Sequence, residues 1–200
     1  MYQIKEYHSD TITDQEIMSI IEFCDNFGPD SNYTYCHHAF EQTTNHWYSL
    51  MFKEGRFLKA VGGLCVAYDG DAIVAISGYN RSNIDPNIFV IGVRTLKNPE
   101  YRDFSTIMKC LIPYQRQAIL SKGGKCLISL FEVGKDQSFY KLARRQAVKK
   151  FVENGRTEYH PGWVALDYPI RINNSVLNIV CEYLDPAFSF NWESLRDKGS

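Results

Sequence analysis

The stretch that most constrains this chain runs from Asn87 to Arg145. It opens with Ile88-Phe89-Val90-Ile91-Gly92-Val93, an apolar run rich in β-branched residues that reads as a buried strand. A polar turn from Arg94 to Arg102 follows, with Asn98-Pro99 as its breaker. Phe104, Ile107, Met108, Leu111, Gln115, Ala118 and Ile119 then fall on one face of a helix, which Lys122-Gly123-Gly124 ends. A second buried strand, Cys126 to Phe131, comes next, and Asp136 is placed to cap a helix carrying Phe139, Leu142 and Ala143. The unit is β-α-β-α with a charged turn at the start of its first helix. The free N–H groups of such a helix start suit an anion such as a pyrophosphate.

The flanks extend this unit into a mixed sheet. Tyr2 to Tyr7 alternates weakly and reads as a first strand, and Thr13-Asp14-Gln15-Glu16 has the form of a capping box before Ile17, Ile20, Ile21 and Cys24 at helical spacing. Gly28-Pro29 stops that helix, residues 29–44 read as a loop, and Trp47, Leu50 and Met51 suggest a short helix over Asn45 to Lys53. Val61 to Tyr68 and Ala72 to Tyr79 flank Asp69-Gly70-Asp71, a strong hairpin signal. Residues 146–160 fit a helix extension or a strand, and Asn154-Gly155 is a turn in either case. Trp163 to Ile172 and Val176 to Leu184 read as two strands joined at Asn173-Asn174. The tail from Asp185 carries Phe188, Phe190 and Trp192, expected to pack on the body. Pro113 falls inside the central helix and is expected to kink or divide it. The order β-α-α-β-β-β-α-β-α-β-β makes an α/β (α+β) domain of about seven strands flanked by helices, spanning residues 1–200 as one domain with residues 185–200 as its tail.

Charge and cysteine usage narrow the classes of function. A net charge of −1 gives no electrostatic case for a nucleic-acid or membrane partner, and no run reaches the length of a membrane span. The six cysteines form no C-x-x-C pair, and Cys65, Cys110, Cys126 and Cys181 fall inside expected strands and helices, which suits a reducing cytoplasm. Cys36-His37-His38 with His46 looks metal-like, but adjacent histidines point apart and no fourth ligand has recognisable spacing, so no metal is expected. Lys141, Arg144, Arg145, Lys149 and Lys150 read as a solvated helix face.

The element order and the residues from Gly63 to Tyr140 resemble the GNAT superfamily of acyl-CoA-dependent N-acyltransferases. The resemblance implies acetyl-CoA as acyl donor. In that family the strand before the pyrophosphate turn lends backbone groups to the pantetheine arm, and Ile91, Gly92, Val93, Arg94 and Thr95 hold that place. The pyrophosphate turn follows an Arg/Gln-x-x-Gly-x-Gly/Ala pattern, matched here by Arg102-Asp103-Phe104-Ser105-Thr106-Ile107. Arg102 fits, while Ser105 and Ile107 replace the expected small residues and Asp103 adds a negative charge. Phe139-Tyr140-Lys141-Leu142 resembles the helix in which a tyrosine protonates the departing CoA thiolate, which assigns that role to Tyr140. A phenol of pKa ~10 suits a thiolate base. Glu132, at the end of its strand, is the candidate to take a proton from the amine. Tyr33, Tyr35 and His37 border the expected acceptor cleft. The implied activity is acetyl transfer to a primary amine of a small molecule or protein, by a monomer or homodimer. The lost motif glycines support an alternative, a binding or inhibitory protein that keeps the fold without using CoA.

Overall fold

The computed structural model describes residues 2–8, 11–27, 62–101, 104–134, 140–141, 143–145, 163–172 and 175–197. The expected helix over Asn45 to Lys53, the segment 146–160 and the turn at Asn173-Asn174 lie outside these. The chain divides into two compact units, one of Met1–Arg81 with Ile91–Lys122 and one of Ser82–Val90 with Gly123–Ser200.

In the first unit β1 (Gln3–Tyr7), β2 (Gly62–Asp69), β3 (Ala72–Arg81) and the second part of β4 (Ile88–Lys97) lie side by side in that order. The first two pairings are antiparallel. The Asp-Gly turn is where the sequence puts it, with Gly70 at φ +59°. Helix α1 (Asp14–Phe27) covers one face. Its Ile17, Ile20, Phe23 and Cys24 pack with Leu64, Val66, Ile76 and Leu96. Helix α2 (Phe104–Ser121) buries Ile107, Leu111, Gln115, Ala118 and Ile119, the periodic face read from sequence. Gln115 donates from Nε2 to the Ser77 and Gly78 carbonyls at 2.9 and 3.3 Å. Contact on both faces explains why β2 reads as a nearly continuous apolar run.

Two expectations need correction here. Arg94 to Lys97 is strand rather than turn, because the alternation continues to buried Leu96 and the Asn98 amide still donates to the Val74 carbonyl at 2.9 Å. The turn begins at Asn98, whose Oδ1 accepts from the Glu100 amide at 2.9 Å. Pro113 does not divide α2, which runs unbroken through it. The proline is exposed, so the Lys109 carbonyl that loses its partner can turn to water.

The capping box forms as read. The Thr13 amide donates to Glu16 Oε2 at 2.9 Å and the Glu16 amide to Thr13 Oγ1 at 3.3 Å. Lys5 on β1 also binds Glu16. On the α2 side, Tyr79 donates its hydroxyl to the Glu6 carboxylate across β2. That reach needs Gly63, where a Cβ would meet Glu6 Oε1 at 2.8 Å and the Tyr79 hydroxyl at 2.9 Å.

In the second unit Ile88–Val90 of β4 pairs parallel with Cys126–Ile128 of β5 (Cys126–Glu132). Strand β8 (Ser175–Tyr183) pairs antiparallel with β5 and, on its other side, with β6 (Trp163–Ala165) and β7 (Ile170–Ile172). The single strand expected over Trp163 to Ile172 is therefore two, which makes eight strands among the described residues. It breaks at Asp167-Tyr168-Pro169, where proline lacks the N–H to continue a ladder and its carbonyl instead accepts from the Asp197 amide at 3.0 Å. One face of this sheet packs Ile128, Ile170, Ile179 and Cys181 beneath Trp192, with Phe188 and Phe190 beside them. Trp192 opens a 3-10 turn (Trp192–Leu195) and donates from Nε1 to the Tyr183 hydroxyl at 2.9 Å.

Two outcomes follow. Gly63→Ala should lower stability by about 1–3 kcal/mol in urea unfolding, because the new methyl must displace a half-buried carboxylate and a buried phenol. The Lys5 ammonium and then the Thr13 amide hold the Glu16 carboxyl down at about 2 against an ordinary 4.5. The folded value lies below the unfolded one, so this contribution is complete above 4.5 and is lost as pH falls through about 2. Glu16→Gln keeps a cap acceptor, so the gap in melting temperature between it and wild type should be widest near neutral pH and should close at about pH 2.

Candidate functional site

In the first unit the expected donor strand carries a backbone irregularity. Gly92 is exposed and sits at φ +73° in mid-strand, a left-handed conformation that an L side chain resists. Thr95 donates its hydroxyl to the Gly92 carbonyl at 3.0 Å. Its Oγ1 also lies 2.8 Å from the hydroxyl of fully buried Ser77. Ile91 is buried, and nothing is described of the Val93 and Arg94 side chains.

Helix α2 begins at Phe104, and the amides of its first turn have no carbonyl within the helix to receive them. Arg102 and Asp103 lie outside the described residues, as do the side chains of Phe104 and Ser105. Thr106 is half-buried. Ile107 stands where the family pattern wants a small residue, and its side chain is fully buried. It is therefore spent on the core and does not stand over the helix start. A bulky residue at this position is compatible with an open anion site.

In the second unit Tyr140 is buried against Phe131, with ring centroids 5.7 Å apart, and packs with Val180, Trp163 and Ala165. Its hydroxyl faces the Leu166 carbonyl at 3.4 Å, long for an O–H···O bond and open to exchange for a better acceptor. Glu132 is the last residue of β5, half-buried and opposite Leu177. Successive side chains on a strand alternate, so Glu132 lies on the face opposite Phe131 and Tyr140. The two candidate proton carriers thus occupy different faces of one sheet. Tyr33, Tyr35, His37 and the Cys36-His38-His46 group lie outside the described residues.

A polar cluster on β1 that the sequence did not flag has a different character. His8 presents Nδ1 to the Gly62 carbonyl at 3.0 Å and Nε2 to Glu6 Oε1 at 2.9 Å. Both ring nitrogens are engaged, so this histidine is structural. Burial, then the bond to Glu6, pushes the Tyr79 phenol far above its ordinary range, which keeps it neutral. The partners come from β1, β2 and β3, and no local motif announces them. The Ser77–Thr95–Gly92 contact was missed for the same reason, although a glycine inside a β-branched run signals an irregular strand.

Among the described residues, no group of histidine, cysteine or acidic side chains is arranged to hold a metal, and no helix is long and apolar enough to cross a membrane. No family model and no curated protein matches the chain. Solved structures do match in fold. An acetyltransferase of the GNAT family from Staphylococcus aureus MU50 superposes with TM-score 0.55 at 14% identity, covering 92% of this chain and 100% of that one. The PaiA N-acetyltransferase from Thermoplasma acidophilum, in complex with coenzyme A, gives 0.51 at 12%, covering 90% and 99%. The ribosomal-protein-S18-alanine N-acetyltransferase from Escherichia coli gives 0.51 at 10%, covering 95% and 100%. The chain has the GNAT fold, a mixed sheet with helices packed on it, as its element order and central motif residues led one to expect.

Gly92→Ala should cost about 1–2 kcal/mol in chemical denaturation, since alanine must enter the left-handed region, while Gly92→Asn should cost less.

Proposed function

We propose that this chain is an N-acyltransferase that moves an acetyl group from acetyl-CoA to a primary amine of a small molecule or protein. The observation that carries the proposal is the fold, shared over nearly the whole chain with N-acetyltransferases, one of them a coenzyme A complex. It is supported by the exposed left-handed Gly92 on the donor strand and by the burial of Ile107, which keeps that side chain off the helix start. In this role Ile91, Gly92, Val93, Arg94 and Thr95 offer backbone groups to the pantetheine arm. The amides from Arg102, Asp103, Phe104, Ser105, Thr106 and Ile107 hold the diphosphate, and the Arg102 guanidinium adds charge.

Acetyl-CoA supplies an acyl carbon activated as a thioester. The chain supplies position and proton traffic. Glu132 takes a proton from the amine, and Tyr140 gives one on the opposite face of the sheet. Tyr33, Tyr35 and His37 are assigned to the acceptor. The five described cysteines are free thiols, four of them buried, which supports a reducing cytoplasm as the working compartment.

A second function is favoured by one observation, the replacement of motif glycines by Ser105 and Ile107 beside Asp103. On it the chain keeps the fold as a binding or inhibitory protein that takes no CoA. Calorimetric titration with CoA separates the two. An acetyltransferase should bind it and should melt several degrees higher in acetyl-CoA at about a hundred times Kd. Tyr140→Phe should bind CoA as wild type does yet turn over about a hundredfold more slowly, followed by thiol release with a panel of amines. Absence of binding at millimolar CoA would decide for the second function.

A further inference from the structure

Thr95 has a single hydroxyl proton, and it goes to the Gly92 carbonyl at 3.0 Å. With that proton on the Gly92 carbonyl, the 2.8 Å contact has Ser77 as donor and Thr95 as acceptor, a direction open to either hydroxyl by geometry alone. The polarity runs one way, from Ser77 through Thr95 to Gly92. Its origin is well anchored, because Ser77 is fully buried and the Gln115 amide grips its carbonyl and that of Gly78. Its end is Gly92, a left-handed glycine within β4. A carbonyl fixed by a side chain fixes its whole peptide plane, and in a trans peptide the N–H points opposite to the C=O. With the Gly92 carbonyl drawn toward Thr95, the Val93 N–H is turned away from Thr95.

Resting on the acyltransferase function inferred above, we propose that Ser77 and Thr95 form a hydroxyl clasp that orients the Gly92–Val93 peptide, so that the Val93 N–H is preset to polarise the acyl carbonyl. Thr95 and Ser77 are positioning residues that act through the backbone. A glycine alone would supply the left-handed turn without holding it, since glycine visits several backbone regions readily. Hydrogen-bond donors aimed in advance at developing charge are worth more than donors that must reorganise. The clasp spends two side chains on one carbonyl for this purpose.

The test uses acetyl-CoA labelled with 13C at the carbonyl, titrated into the full-length wild type, T95V, T95S and S77A and read by NMR. Polarisation by an N–H moves the carbonyl resonance downfield on binding. Wild type and T95S should show the full displacement. T95V should bind with Kd within about threefold of wild type yet lose half or more of the displacement, and kcat should fall about tenfold or more with KM nearly unchanged. S77A should show a smaller loss in the same direction, and it carries the comparison if T95V does not fold. Equal displacement in wild type and the folded variants overturns the clasp while leaving acyl transfer standing. A wild type that does not bind acetyl-CoA overturns the acyltransferase function and the clasp with it.

Discussion

The first unit rests on one constraint: β2 and β3 are packed on both faces, between α1 and α2, so every polar group inside must find a partner within the protein. Most positions meet this by being apolar. Several of the exceptions are paired across strands, while Gln115 Oε1 is buried without a hydrogen-bond partner. Glu6 receives the Tyr79 hydroxyl and faces His8, and Ser77 is joined to Thr95 and, through its carbonyl, to Gln115. Gly63 makes the first of these possible by leaving out a side chain. The polar residues of this core fasten strands that lie far apart in the chain, which burial of aliphatic side chains alone would leave free to slide.

How far the sequence revealed this depends on the range of each interaction. Helix α2, the Asp-Gly hairpin and the Thr13–Glu16 box were legible because period, turn chemistry and capping are written within a few residues. The GNAT fold was legible in the element order and the central motif. The reach of β4 through Lys97 was not, since Arg94 and Lys97 look like turn residues and only the core around Leu96 shows why the strand continues. The break at Pro169 was readable in principle, but a tyrosine and isoleucines around it hid a proline that ends one strand and precedes another. The Glu6–Tyr79 bond spans 73 positions and the Ser77–Thr95 pair 18, and no local pattern encodes such partners.

The candidate site was legible to a different degree. Sequence assigned a donor strand and a helix start, the second of which is seen at Phe104, and it treated Ser105 and Ile107 as obstacles to a phosphate. Burial of Ile107 changes that weighing, because a side chain directed into the core does not itself cover the helix start. The glycine that matters to the backbone here is Gly92, ten residues before Arg102, where left-handed geometry rather than close packing demands it. Sequence also paired Tyr140 with Glu132 without knowing that strand alternation sets them on opposite faces.

The second unit draws its core from distant parts of the polypeptide, with Ile88 and Trp192 in one cluster. Trp192 is tied to Tyr183, and Arg196 bridges to Ile170 on β7. On the ribosome, this half of the molecule cannot close its hydrophobic interior until nearly the last of these residues has left the exit tunnel. Until Trp192 emerges, strands β5 to β8 lack part of the core that covers them, and a chaperone that shields nascent chains has its task there.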